Sequence, residues 1–218
     1  MTYESIKHNE DIRTYIKQAD ASLLALGYTE HSFAHVTRVA EVAGSILASL
    51  GYPKRTVELA KIAGFLHDIG NLVNRAEHSQ SGAVMAFRML DKLGFPAAEI
   101  AAVTTAIGNH DEGTGMPVNE LSAALILADK SDVRRTRVRN SDRATFDIHD
   151  RVNDSVTHSE LLVDAENKQI TLALTIDTGI GSVMDYFEIF LERMLLCRKA
   201  AEALGLAFKL CINGQHLI

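Results

Sequence analysis

The feature that most constrains this chain is a histidine–aspartate pair, His67-Asp68, at the end of an apolar helical stretch covering residues 60–66. A matching histidine, His35, lies upstream, and a matching aspartate, Asp129, lies downstream inside another apolar stretch. Because apolar residues flank His67 and Asp129, we expect both side chains to point inward. A buried carboxylate without a partner costs several kcal/mol, so an inward aspartate needs a cation or a strong hydrogen-bond donor. The fold must therefore bring side chains from several helices to one point.

The first two-thirds of the chain, up to about residue 140, has the periodicity of amphipathic helices. The clearest example is residues 32–50, in which apolar side chains recur at helical spacing. The turn sequences Gly51-Tyr52-Pro53 and Gly94-Phe95-Pro96 separate this helix and its successors. Further helices are predicted over residues 53–66, 79–93, 96–107 and 119–133. The pattern indicates a helical bundle.

The pattern changes after residue 140. Residues 141–155 are polar and weakly periodic, which favours a linker. A strand ending at residue 164, a turn and a strictly alternating strand over 170–176 follow, then a long amphipathic helix over 183–204 and a third strand over 206–212. The predicted fold is mainly α: a helical domain over residues 1–145, followed by a small α+β domain over 146–218 with the order strand, strand, helix, strand.

Composition excludes several classes of protein. The 218-residue chain carries a net charge of −6, which argues against general nucleic-acid binding. No apolar run reaches the roughly 18 residues of a membrane helix, and residues 1–8 lack the pattern of a signal peptide. We therefore expect a cytoplasmic protein without membrane association. Cys197 and Cys211 fall in a helix pattern and a strand pattern, and both are expected to be free thiols.

Three separated motifs resemble those of the HD superfamily of metal-dependent phosphohydrolases. They are His35-Val36-Thr37-Arg38-Val39, His67-Asp68 followed by Ile69-Gly70, and Ala128-Asp129, and the resemblance covers about Tyr28 to Arg139. It implies an all-helical domain in which His35, His67, Asp68 and Asp129 bind one metal ion. His31 lies four residues before His35 and is an alternative ligand on the same helical face.

Relatives with an extended motif hold a second metal ion through two further histidines. His78 and His110 match that arrangement in order and local context, and Asp68 would then bridge the two ions. Asn109 departs from the adjacent histidine pair of the HD-GYP phosphodiesterases, which disfavours a third ion and a cyclic dinucleotide phosphodiesterase. Imidazole and carboxylate ligands suit divalent metal ions, and two ions chosen from Fe, Mn, Ni, Zn or Mg are expected.

Basic and acidic residues near these motifs complete the expected site. Lys130, Arg134 and Arg135 begin a basic cluster that extends to Arg139, and guanidinium groups bind phosphate oxygens well. Its alternative interpretation is a solvated helix face. Arg38, one turn beyond His35, is a further candidate for phosphate binding. Asp111 or Glu112 is the candidate for proton transfer, because both follow His110 directly in the sequence.

The expected function is hydrolysis of a phosphate ester or anhydride, expected in a nucleotide, by a metal-activated hydroxide. Asp68, Asp111 and Glu112 are the candidate catalytic residues. One alternative is a di-iron HD-fold oxygenase, because the ligands alone do not separate the two chemistries. Another is a non-catalytic nucleotide-binding regulatory module. The aromatic residues Tyr186, Phe187 and Phe190 are expected in the core, with a homodimer contact as the alternative.

Overall fold

The computed structural model describes all 218 residues, in nine α-helices and four β-strands. The helices are α1 Tyr3–Lys7, α2 Glu10–Ala25, α3 Phe33–Ser49, α4 Lys54–Leu66, α5 His78–Lys92, α6 Ala97–Gly108, α7 Glu120–Lys130, α8 Ile148–Ser155 and α9 Val183–Ala203. The strands are β1 Val156–Asp164, β2 Gln169–Ile176, β3 Ala207–Ile212 and β4 Gln215–His216. The predicted fold class, mainly α with a small C-terminal sheet, is confirmed. None of the helices combines the length and the apolar character needed to cross a membrane.

Close packing of α3 against α4 brings the first two histidines together. At Gly64, a Cβ atom would lie 2.7 Å from the Cα of Ala40, so the two backbones approach more closely than larger residues allow. Helix α7 packs against both helices. This arrangement places His35 in the first turn of α3, beside His67 at the C-terminal end of α4 and Asp129 in the last turn of α7.

The sequence after Asp68 forms a short 3₁₀ segment, Ile69–Leu72, that lies against the start of α5. A Cβ atom at Gly70 would overlap the carbonyl oxygen of His78, and it would lie 2.5 Å from the backbone nitrogen of Gly82. Glycine at this position therefore lets α5 begin close enough for His78 to face Asp68.

The C-terminal sheet has the strand order β1-β2-β3-β4. The pairs β1/β2 and β3/β4 are antiparallel, whereas β2 and β3 are parallel and are connected through α9. The structure adds β4 and α8 to the predicted elements. Helix α8 occupies residues that were expected to form a linker. The prediction was wrong because the segment is polar and lacks a clear apolar period, although the Asp147 side chain caps the first turn of the helix.

Buried residues of the helical part and the C-terminal part form one hydrophobic core. Helix α9 packs against α7, and its Tyr186 and Phe190 are buried in this core, while Phe187 is partly buried. The expected core role of these aromatic side chains agrees with that burial. The division into domains at residue 145 and the homodimer stay predictions. Cys197 and Cys211 form no disulfide.

Candidate metal centre

Four buried histidines converge from four separate elements. They are His35 on α3, His67 after α4, His78 at the start of α5 and His110 after α6. Three pairs of rings lie edge to face with centroids 5.0 to 5.2 Å apart: His35 with His67, His67 with His110, and His110 with His78. The bundle therefore assembles the histidines that the sequence singled out.

Each of these histidines has its Nδ1 atom held by an acceptor. The Nδ1 distances are 2.7 Å to Asp132 Oδ2 for His35, 2.8 Å to the Gly64 carbonyl for His67, 3.1 Å to the Arg75 carbonyl for His78 and 2.6 Å to the Ile107 carbonyl for His110. A carbonyl or carboxylate oxygen only accepts, so each Nδ1 donates its hydrogen. The Nε2 atoms are then the ones that face the centre, as in histidines that bind metals.

Two groups of donor atoms are close enough to hold a metal ion each. The first comprises His35, His67 and Asp129, and the second comprises His67, Asp68 and His110. The Nε2 atoms of His35 and His67 lie 3.3 Å apart, and the Oδ1 atom of Asp129 lies 3.4 Å from the former and 3.6 Å from the latter. Two imidazole lone pairs at this distance need a proton or a cation between them.

Asp68 lies between the two sides of the centre. Its Oδ2 is 3.5 Å from His35 Nε2, and its Oδ1 is 3.5 Å from His78 Nε2. Neither Asp68 Oδ2 nor the buried His110 Nε2 has a hydrogen-bond partner. Unpaired buried acceptors are costly, and divalent cations satisfy imidazole and carboxylate donors together. The residues present therefore fit the metal ions that the motifs imply.

The histidines and carboxylates of the centre shift one another's pKa values. Burial lowers the pKa of His67, but the carboxylates of Asp68 and Asp129 outweigh burial and raise this pKa to about 10. Burial raises the pKa of Asp68, but the charges and hydrogen bonds of the surrounding histidines, His67 first among them, together outweigh burial and hold this pKa well below its usual range. Burial also lowers the pKa of His110 well below its usual value. The carboxylates of Asp68 and Asp129 thus favour the protonated form of His67, and the Lys130 ammonium lies against Asp129 as a second positive charge.

Asp132 supports the centre and was missed by the sequence reasoning. It is buried, accepts the Nδ1 hydrogen of His35, and accepts from Arg134 Nε at 2.8 Å; Arg38 Nε lies 3.1 Å from its Oδ1. Asp132 follows Asp129 by three residues, so the sequence places a second acidic side chain near the predicted ligand. This spacing does not reveal that Asp132 orients His35.

The structure brings only one of the predicted phosphate-binding residues to the centre. Lys130 Nζ lies 2.7 Å from Asp129 Oδ2 and 3.0 Å from Glu112 Oε2. Arg134 pairs with Asp132 and Glu30, and the Nε atom of Arg135 donates to the carbonyl of Asp154. These arginines lie beyond the end of α7, and none of their side-chain contacts is with a predicted metal ligand.

Arg38 also has structural partners. Its Nη2 donates to the Ser159 carbonyl at 2.8 Å, which joins α3 to β1. His31 lies outside both donor groups, with its Nδ1 2.7 Å from the Thr29 carbonyl and its ring 5.5 Å from the His35 ring. The phosphate-binding assignments of Arg38, Arg134 and Arg135 therefore stay predictions without a contact to the donor atoms.

The two acidic candidates for proton transfer have different surroundings. Burial raises the pKa of Glu112, but Lys130 and Arg193 outweigh burial and hold this pKa well below its usual range. Asp111 Oδ1 is 4.0 Å from His78 Nε2, and burial with a hydrogen bond to Glu112 raises the pKa of Asp111. Asp111 is therefore better suited than Glu112 to carry a proton.

Comparison with known proteins finds a matching family model, a relative and a similar solved structure. Residues 32–136 match the family model described as HD domain. Uncharacterized protein MJ1020 of Methanocaldococcus jannaschii is 25% identical over 209 residues, an alignment that covers 85% of this chain and 80% of that protein. A solved structure described as a predicted HD superfamily hydrolase, from an uncultured Thermotogales bacterium, is 25% identical with a TM-score of 0.44, over 60% of this chain and 73% of the other.

Proposed function

We propose that this chain, whose residues 32–136 match the HD domain family model, is a phosphohydrolase that cleaves a phosphate ester or anhydride of a nucleotide. The family match and the buried histidine–aspartate cluster support a metal-dependent hydrolase in general. The observation that carries the proposal is the position of Asp68. Its carboxylate faces histidines on both sides and has one buried oxygen without a partner.

We assign His35, His67, Asp68 and Asp129 to one metal ion, and Asp68, His78 and His110 to a second. Divalent ions bound there would polarise a phosphoryl oxygen and increase the acidity of a bound water near neutral pH. The Nδ1 contacts of the histidines hold their Nε2 atoms toward the ions and fix the ring orientations.

The other residues of the centre act on charge and protons. The Lys130 ammonium lies against Asp129 and offers the nearest positive charge for phosphoryl oxygens that become more negative during the reaction. Glu112 binds both Lys130 and Arg193, so it keeps the ammonium in place. Asp111, beside His78, is assigned to carry a proton to the leaving-group oxygen.

The test is replacement of the proposed bridging residue by Asp68→Ala in protein purified without oxygen. Loaded with Mn²⁺ or Fe²⁺, the wild type should hydrolyse at least one of a panel of nucleoside mono- and polyphosphates and dinucleoside polyphosphates. The variant should lose at least about 100-fold in turnover, because the loss of a metal ligand removes several kcal/mol of transition-state stabilisation. Metal analysis should show fewer ions per chain.

The matched control is Asp91→Ala, which removes an exposed carboxylate on α5. This control should keep the turnover and metal content of the wild type. Undiminished turnover by a folded Asp68→Ala variant would rule out the proposed role of the site.

A further inference from the structure

A small cavity of about 230 Å³ lies where the helical part meets the C-terminal part. Its walls come from the loop before α3, from Arg75 and Arg137, and from α8 and α9. We propose that this cavity binds the nucleoside of a nucleoside 5′-monophosphate whose phosphate group reaches the metal centre. This inference rests on the proposed function and narrows its substrate class.

The cavity adjoins the metal centre, because two of its lining residues contact proposed metal ligands. Arg75 lines the cavity, and its Nη1 lies 3.4 Å from His78 Nε2 and 3.9 Å from Asp68 Oδ1. His31 also lines the cavity, and its ring packs against the ring of His35. A single layer of side chains, Arg75 and His31, therefore lies between the cavity and the proposed metal ligands.

Three arginines line the cavity: Arg75, Arg137 and Arg193. Arg137 is buried and held by two bonds, from Nε to the Glu30 carbonyl and from Nη1 to the Asp132 carbonyl, while its Nη2 makes no hydrogen bond within the protein. Arg193 pairs with Glu112 through Nε and lies 4.4 Å from the centroid of the Phe190 ring. These fixed guanidinium groups, with nitrogen atoms left to donate, suit phosphate oxygens.

Other lining residues differ in chemistry from the arginines. Asp147, Asp150 and Asn153, on α8 and at its cap, also line the cavity and supply acceptors for hydroxyl groups. Tyr28, 44% exposed, adds an aromatic ring. Carboxylates repel a free phosphate ion, and a phosphate cannot stack on an aromatic ring. A ribose, in contrast, can donate hydrogen bonds to the carboxylates, and a base can stack on the tyrosine.

The size of the cavity selects among nucleotides. Sites for drug-sized ligands typically span about 300–1,000 Å³, so a cavity of about 230 Å³ accommodates one nucleoside rather than two. We place the phosphate beyond the nucleoside, extending past the cavity arginines toward the metal centre. Dinucleoside polyphosphates are therefore disfavoured, and a nucleoside monophosphate is the matching class.

The experiment measures binding of AMP, UMP and inorganic phosphate to the full-length, metal-free protein by isothermal titration calorimetry. At least one nucleotide should bind about 10-fold or more tightly than phosphate. Arg193→Gln should weaken nucleotide binding roughly 10- to 100-fold, because a charge-assisted hydrogen bond is lost. Tyr28→Ala and Asp150→Asn should weaken nucleotide binding but leave phosphate binding unchanged.

Two exposed residues away from the cavity provide matched controls. Arg198→Gln changes an exposed arginine on α9, the helix that carries Arg193. Tyr15→Ala removes from α2 a tyrosine ring about as exposed as that of Tyr28. Both control variants should bind nucleotides as the wild type does. Wild-type affinity in the Arg193 and Tyr28 variants, or no nucleotide binding at all, would overturn the assignment of the cavity.

The outcomes also separate this inference from the proposed function. Hydrolysis of phosphate esters by metal-loaded protein that binds neither nucleotide would reject the nucleoside pocket and leave the hydrolase standing. Nucleotide binding that depends on Arg193 and Tyr28, without turnover of any phosphate ester, would reject the hydrolase and leave the pocket standing.

Discussion

At the scale of single residues, Asp132 controls how His35 faces the centre, because its carboxylate accepts the Nδ1 hydrogen of that ring. Asp132→Ala should weaken metal binding about 10- to 100-fold, as loss of a carboxylate that orients a metal-binding histidine does. It should also reduce the free energy of unfolding by about 3–5 kcal/mol, since buried Arg137 and its neighbour Arg134 lose a shared partner. Metal titration and urea unfolding measure the two effects.

The conservative variant Asp132→Asn separates orientation from charge. It keeps an acceptor oxygen, so its metal affinity should lie between those of the wild type and Asp132→Ala. Wild-type metal affinity in folded Asp132→Ala protein would show that His35 does not need this orientation.

At the scale of elements, the contact between the 3₁₀ segment and α5 sets the position of His78. Gly70→Ala places a Cβ atom against the His78 carbonyl, so α5 must shift away from Asp68. The variant should lose about 1–3 kcal/mol of unfolding free energy, the range for overpacked positions. It should also bind fewer metal ions per chain, as measured by metal analysis of folded protein.

The control at this scale is Gly108→Ala at the end of α6. A Cβ atom there lies 3.5 Å from the Ala83 Cβ, an ordinary contact, and alanine favours helix by up to about 1 kcal/mol. This variant should keep stability and metal content. Equal metal content in the Gly70 and Gly108 variants would contradict the role of the glycine contact.

At the scale of the whole molecule, one core joins the helical and C-terminal parts, and α9 covers a face of α7. We therefore expect a single cooperative unfolding transition in scanning calorimetry. Bound metal should raise its midpoint, since a free metal concentration of 100 times Kd adds about 2.7 kcal/mol. EDTA should remove that increment. Two separate transitions would instead support the two domains divided at residue 145.

Much of the fold was predictable because its signals are local. Helical spacing in residues 32–50 and alternation in residues 170–176 depend only on neighbouring side chains, and both segments have the predicted type. Helix α8 was not predictable in this way, because it is held by a polar cap and by contacts with the segment after α7 and with α9.

The sequence by itself determined the helical class and the kinds of donor atoms at the centre, since His67 and Asp68 end an apolar helix and His35 and Asp129 lie in others. Only the tertiary structure decided which cations lie near that centre. Arg134 and Arg135 follow Asp129 closely in sequence, yet they pair with Asp132 and Asp154. The cavity arginines Arg75, Arg137 and Arg193 come from distant parts of the chain. A long side chain reaches whatever the packing of helices places beside it, and the spacing of residues along the chain does not encode that packing.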